Sequence, residues 1–287
     1  MLQSGGGDYI DRNSTAVRGF MSASMFTPED RTMFDEVATL TLRVARPLVW
    51  HDRTQGWPKS LDGATCFFLR FEQGVVGVTA HHVVRAYEAA IAANQNIICQ
   101  LRTSPAFDLM AAIIDRDVVR DIATFRVSED ILRQTEAVAL DCRGDWPPPT
   151  PDSLRALSIC GFPEEMRTTT ADRTAEFAAW GALAAVESIT EREILVTYDP
   201  ARDQPARWAS ALPPVGLNLS GCSGGPVLMH GTRNGLHRWF PVGLVVAGPR
   251  DQGTGASAEF DMIRLRRIHV IQRDGSIDKD GAGWLPA

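Results

Sequence analysis

Apolar residues in this chain come in short runs, each stopped by glycine, proline or a charged pair. GATCFFLRF, GVVGVTA, NIICQLR, LMAAIIDR and DIATFRV occupy the first half; ALSICGFP, AEFAAWGALAAVES, EILVTYD, GPVLMHG and FPVGLVVAG occupy the second. Such runs are too short for most helices and rich in the β-branched and aromatic residues that suit strands, so the cadence points to an all-β barrel or sandwich architecture. One long helical pattern interrupts the first half, HVVRAYEAAIAANQ over residues 82–95. Between the halves, residues 143–152 carry four prolines, which can continue neither a helix nor a central strand.

These signals divide the chain into a lead-in (1–36), a first β unit (37–142), a proline-rich linker (143–153), a second β unit (154–272) and a tail (273–287). Within the lead-in, residues 1–25 lack periodicity and read as mobile. Thr27-Pro28-Glu29-Asp30 starts a short helix running to about Val37. From Ala38 the alternation of Thr39, Thr41, Arg43 and Arg46 with Leu40, Leu42 and Val44 reads as strand. Phe260 to Ile271 reads as a strand entering a C-terminal helix.

With 287 residues, 44% hydrophobic and 22% charged, the chain can bury a sizeable core. Its net charge of -6 and pI near 5.5 lack the basic footprint of a phosphate-neutralising protein, so nucleic acid is not an expected partner. The longest apolar stretch, Phe177 to Val186, falls short of the roughly 20 residues of a spanning helix, and no membrane span is expected. No basic n-region with an apolar run opens the sequence, so no signal peptide is expected. Cys66, Cys99, Cys142, Cys160 and Cys222 are odd in number and include no C-x-x-C pair. They read as free thiols in a reducing, cytoplasmic compartment, with no metal site.

Three segments carry chemistry. Gly221-Cys222-Ser223-Gly224-Gly225-Pro226 sets a serine on a glycine-flanked turn, where amides two residues apart can point at one oxygen. A serine hydroxyl needs a base, and Thr79-Ala80-His81-His82 offers imidazoles where a strand gives way to a helix. Asp121 opens the run DIATFRV and supplies a carboxylate at a strand end, with Asp115 and Asp117 as competitors on the same segment. A glycine-rich hairpin whose hydroxyl caps its own turn is the bland alternative.

Together TAHHV, DIA and GCSGGP resemble the trypsin-like (chymotrypsin-fold) serine peptidases, in the order His, Asp, Ser at intervals of 39 and 102 residues. The turn CGFP at 160–163 and the absence of paired cysteines make the resemblance closer to bacterial, HtrA-like domains than to digestive trypsins. It implies two six-stranded antiparallel barrels over roughly Val37 to Ile271, and a serine endopeptidase that needs no cofactor. In that reading Ser223 is the nucleophile, His82 the base, Asp121 its orienter, and the amides of Gly221 and Ser223 the oxyanion hole. Leu217 takes the place of the primary-pocket base, and Val246, Ala247 and Gly248 take that of the strand pairing with an extended protein or peptide substrate. The lack of an acid near Leu217 argues against a strict Lys or Arg preference. Cys222 stands where digestive trypsins carry an aspartate; the glycine spacing puts Ser223 rather than Cys222 at the elbow. A catalytically silent relative that binds peptide through the same double barrel is the rival reading.

Overall fold

The computed structural model describes residues 16–18, 36, 39–40, 42–56, 60–102, 104–152, 156–169, 175–198, 217–233, 235–248 and 261–280. Two antiparallel sheets dominate, one from each half of the chain. The expected helix start at Thr27 and most of the lead-in lie outside the described residues. Within the lead-in, β1 (Ala16–Arg18) is a strand and pairs in parallel with the second half.

Residues 36, 39–40 and 42–44 are helical, which corrects the strand expected from Ala38 onward. The pattern supports both periods: Leu40 and Val44, four apart, share a helix face and pack into the first-half core. Strand geometry begins at β2 (Ala45–Asp52), followed by β3 (Asp62–Phe71) and β4 (Gly74–Thr79). Helix α1 (His81–Ala93) inserts Val83, Val84 and Tyr87 into the core, with the Tyr87 ring edge-on to Trp50 at 5.8 Å. Then come β5 (Ile97–Leu101), the single turn α2 (Leu109–Ala112), β6 (Ile113–Asp117) and β7 (Ile122–Val127). Asp108 caps the start of α2, so the run LMAAIIDR is half helix and half strand. Helix α3 (Glu129–Gln134) and β8 (Leu140–Asp141) complete this half.

Strand pairing runs β5-β2-β3-β4-β7-β6, with β8 laid parallel on β3. Among the described residues, the expected first barrel is an antiparallel sheet whose ends, β5 and β6, do not pair; the chain between them makes α2 instead. Its core holds Phe67, Phe68, Leu69, Phe125 and Leu101, all fully buried. Arg46 is 5% exposed, with its guanidinium on the carbonyls of Leu42, Ala45, Thr135 and Glu136, so backbone dipoles satisfy its donors.

The second half comprises β9 (Ala156–Gly161), β10 (Arg167–Thr169), β11 (Ala175–Phe177), β12 (Trp180–Ile189), β13 (Glu193–Tyr198), β14 (Pro226–Arg233), β15 (Leu236–Ala247) and β16 (Asp261–Arg267). Here the ladder closes: β12-β13-β16-β15-β14-β9 returns to β12, a six-stranded antiparallel barrel. Closure removes sheet edges, and Trp180, Leu157, Ile159 and Ile194 fill the interior.

The proline-rich segment 143–152 has no regular structure, but Trp146 packs edge-on against Phe71 at 5.1 Å. No helix follows β16 among residues 268–280. That segment folds back on the first sheet as a strap, with Ile268, Val270, Ile271 and Ile277 buried in the first-half core. A turn replaces the expected helix, because Gln272 N donates to Ser276 O (2.7 Å) and Ile271 bridges to Ile277. Trp146 Nε1 donates to Ile271 O (2.6 Å), and Thr124 Oγ1 to Gly275 O (2.6 Å). Among the described residues no helix is long and apolar enough to cross a membrane.

Candidate active site

Helix α1 starts directly from β4 with Ala80 at its N-cap, so no side chain of its own segment satisfies the first amides. Asp121 does so from across the sheet. Its Oδ1 accepts from His82 N (2.8 Å) and its Oδ2 faces His82 Nδ1 at 2.8 Å. One carboxylate thus caps the helix and orients the imidazole, aligned with the positive end of the helix dipole. The backbone of Asp121 is left-handed, φ +53°, at the turn from β6 to β7. His82 is about two-fifths exposed at its side chain, so the far edge of the ring can meet a ligand.

The two competing aspartates are engaged elsewhere. Asp115 accepts from Ile277 N (2.9 Å) and Lys279 Nζ (2.7 Å) of the strap. Asp117 pairs with Arg120 within its own turn at 2.7 Å. His81 is buried, and burial holds its imidazole below the ordinary histidine value against the pull of Asp121, so it stays neutral beside the pair.

Ser223 sits half-buried on the turn before β14. Gly221 has φ +94° and Gly224 φ +85°, left-handed values that favour glycine. A Cβ on Gly224 would lie 2.1 Å from Thr65 O and 2.3 Å from Thr79 Oγ1, so no side chain fits there. The turn is pinned by Cys222 N to Leu219 O (2.9 Å), Gly225 N to Cys222 O (2.8 Å) and Gly224 N to Val245 O (2.8 Å). Among the described residues, the amides of Gly221 and Ser223 donate to no backbone carbonyl, which leaves both available to an oxyanion.

Thr65 joins the two halves at this point. Its amide donates to Ser223 O (3.0 Å), its hydroxyl donates to Gly221 O (2.8 Å), and that hydroxyl accepts from Phe162 N (3.0 Å). Thr79 Oγ1 in turn donates to Thr65 O (2.9 Å), three residues before His82. The serine turn and the histidine turn are therefore tied through two buried threonines. Among the described residues, Ser223 Oγ and His82 share no hydrogen bond. Sequence reasoning used Thr79 only as a motif letter and missed Thr65; neither residue type nor spacing marks a hydroxyl that acts 156 residues away.

Cys222 is fully buried, and burial, with Cys160 beside it, pushes its thiol well up, the opposite of an activated nucleophile. All five cysteines are buried free thiols, and burial pushes Cys142 and Cys160 up to about 12. Leu217 is buried in the core of the second barrel, and Val246 packs against the first-half core. Ala247 and Gly248 are half-buried, with the backbone of Gly248 lying on Leu219. Near this wall Glu165 Oε2 accepts from Asn218 N (3.1 Å), and Glu164 N donates to Ser220 O (2.7 Å). Among the described residues no cluster of three or more His, Cys, Asp or Glu could hold a metal ion.

No protein-family model and no curated protein matches the chain. Among solved structures, it is similar to a scabies mite inactivated protease paralogue, S-I1. The TM-score is 0.43 at 12% identity, covering 80% of this chain and 91% of that one.

Proposed function

We propose that the chain is a serine endopeptidase of the trypsin-like type, closer in motif to bacterial HtrA-like domains than to digestive trypsins, acting on a protein or peptide substrate. The observation that carries this reading is the two-point grip of Asp121 on His82, tied through Thr79 and Thr65 to a glycine turn whose Gly221 and Ser223 amides, among the described residues, donate to no backbone carbonyl. In this mechanism His82 Nε2 takes the hydroxyl proton as Ser223 Oγ attacks the scissile carbonyl. Asp121 holds the proton on Nδ1 and stabilises the imidazolium, and the two amides hold the oxyanion. His82 then gives its proton to the leaving amine, and water releases the acyl group by the same steps. An extended substrate pairs along Val246–Gly248, with Leu217 at the floor of the side-chain pocket.

A second reading, a silent peptide-binding module, draws on the missing hydrogen bond between Ser223 Oγ and His82. Catalytic hydrogen bonds are often long in ligand-free structures and tighten when substrate binds, so that gap does not decide between the two. Labelling with a fluorophosphonate does. Wild type and Cys222→Ala should label, while Ser223→Ala and His82→Ala should not. An inert wild type, beside a control protease that labels, establishes the silent module. Labelling that survives in Ser223→Ala moves the nucleophile elsewhere.

A further inference from the structure

Asp117 lies outside the triad, yet it organises the turn from which Asp121 projects. Its Oδ1 accepts from Val119 N (2.8 Å) and Arg120 N (2.9 Å), and its Oδ2 from Arg120 Nη1 (2.7 Å). Both side chains are buried, 7% and 3% exposed. A buried charge is costly to desolvate and costlier still once its partner is lost, and this carboxylate takes two turn amides as well as the Arg120 guanidinium, so it fixes the backbone it spans. The next residue is Asp121, in the left-handed conformation that aims both carboxylate oxygens at His82. At the tip of the turn Val118 and Val119 are 69% and 48% exposed, so apolar packing does not hold it in place.

We infer that Asp117 is a positioning residue for the proposed triad: with Arg120 it locks the β6–β7 turn so that Asp121 can cap α1 and orient His82 together. The inference rests on the peptidase reading. A displacement of about 1 Å in such a group costs about 10²-fold in rate.

The test uses the full chain as wild type, Asp117→Ala and Asp117→Ser. Serine keeps an acceptor for the two turn amides but loses the charge. Fluorophosphonate labelling yields the maximal inactivation rate and the half-saturating concentration separately, and histidine ¹⁵N shifts report the His82 tautomer. In Asp117→Ala the maximal rate should fall about 10²-fold with half-saturation within about twofold, and His82 should leave the Nδ1–H tautomer for a mixture. Asp117→Ser should lie between. A folded Asp117→Ala with wild-type rate and tautomer overturns the inference. Should that variant not fold, Asp117→Ser against wild type decides in the same terms. If wild type does not label, the peptidase reading fails, and the tautomer alone decides the role of Asp117.

Discussion

At the scale of single residues, two positions do work that their side-chain types alone would not suggest. Asp121 spends one oxygen on a helix amide and the other on an imidazole, so the loss of either partner also disturbs the other. Gly224 is defined by what it lacks, since both its φ of +85° and the nearby Thr65 O exclude a Cβ. Gly224→Ala should therefore destabilise the protein by about 2–3 kcal/mol in urea unfolding, from left-handed strain plus overpacking. A cost under about 1 kcal/mol would show that the turn can move. At this scale the sequence was legible for the pairing of Asp121 with His82 and for the tight glycine turn around Ser223, because each demands fixed neighbours. It offered Asp117 only as a rival to Asp121, because its place lies in a four-residue turn that any Asp-x-x-Arg could form. Only burial distinguishes this one.

Elements were legible where period and length agreed. Strands β4, β5, β7, β9 and β13 fall within the runs that announce them, and β3, β15 and helix α1 start one to four residues ahead of theirs. The failures have physical causes. Residues 39–44 alternate like a strand, yet place Leu40 and Val44 on one helical face, and tertiary packing decided for the helix. The C-terminal segment carries closely spaced apolar residues that a helix could bury, but a turn over Gln272–Ser276 buries them against the other half instead. The junction between β3, β4 and the serine turn hangs on Thr65, whose hydroxyl bridges Phe162 N and Gly221 O. Thr65→Val keeps shape and removes that bridge, leaving two buried backbone groups unsatisfied. It should cost about 2–4 kcal/mol by denaturant titration and slow fluorophosphonate labelling. Wild-type stability in that variant would mean that water or rearrangement replaces the hydroxyl.

For the whole molecule, the two halves are not parallel copies. The second closes into a barrel by its own strand pairing; the first is a sheet whose core includes side chains contributed by the far end of the chain. Repeated short runs predict β content but not closure, which depends on register and on what α2 does between β5 and β6. The strap also responds to pH. Burial alone would raise the carboxyls of Asp115 and Asp117, but their hydrogen bonds to Lys279, Ile277 and Arg120 outweigh it and hold both below the ordinary aspartate value. A carboxyl lowered in the folded state stabilises fully above its unfolded value, near 4, and that stability is lost as pH falls through the folded value. Urea stability should therefore decline below about pH 4, and Asp115→Asn should flatten part of the slope. An unchanged slope would show that the strap does not titrate.

A ribosome makes His82 and Asp121 long before it makes Ile271, Ile277 and Lys279. Until those last residues emerge, the hairpin bearing Asp121 has no outer brace, and the first sheet has empty places in its core. A cut between β16 and Ile277 would therefore take the brace from the hairpin that bears Asp121 and uncover part of the first-half core.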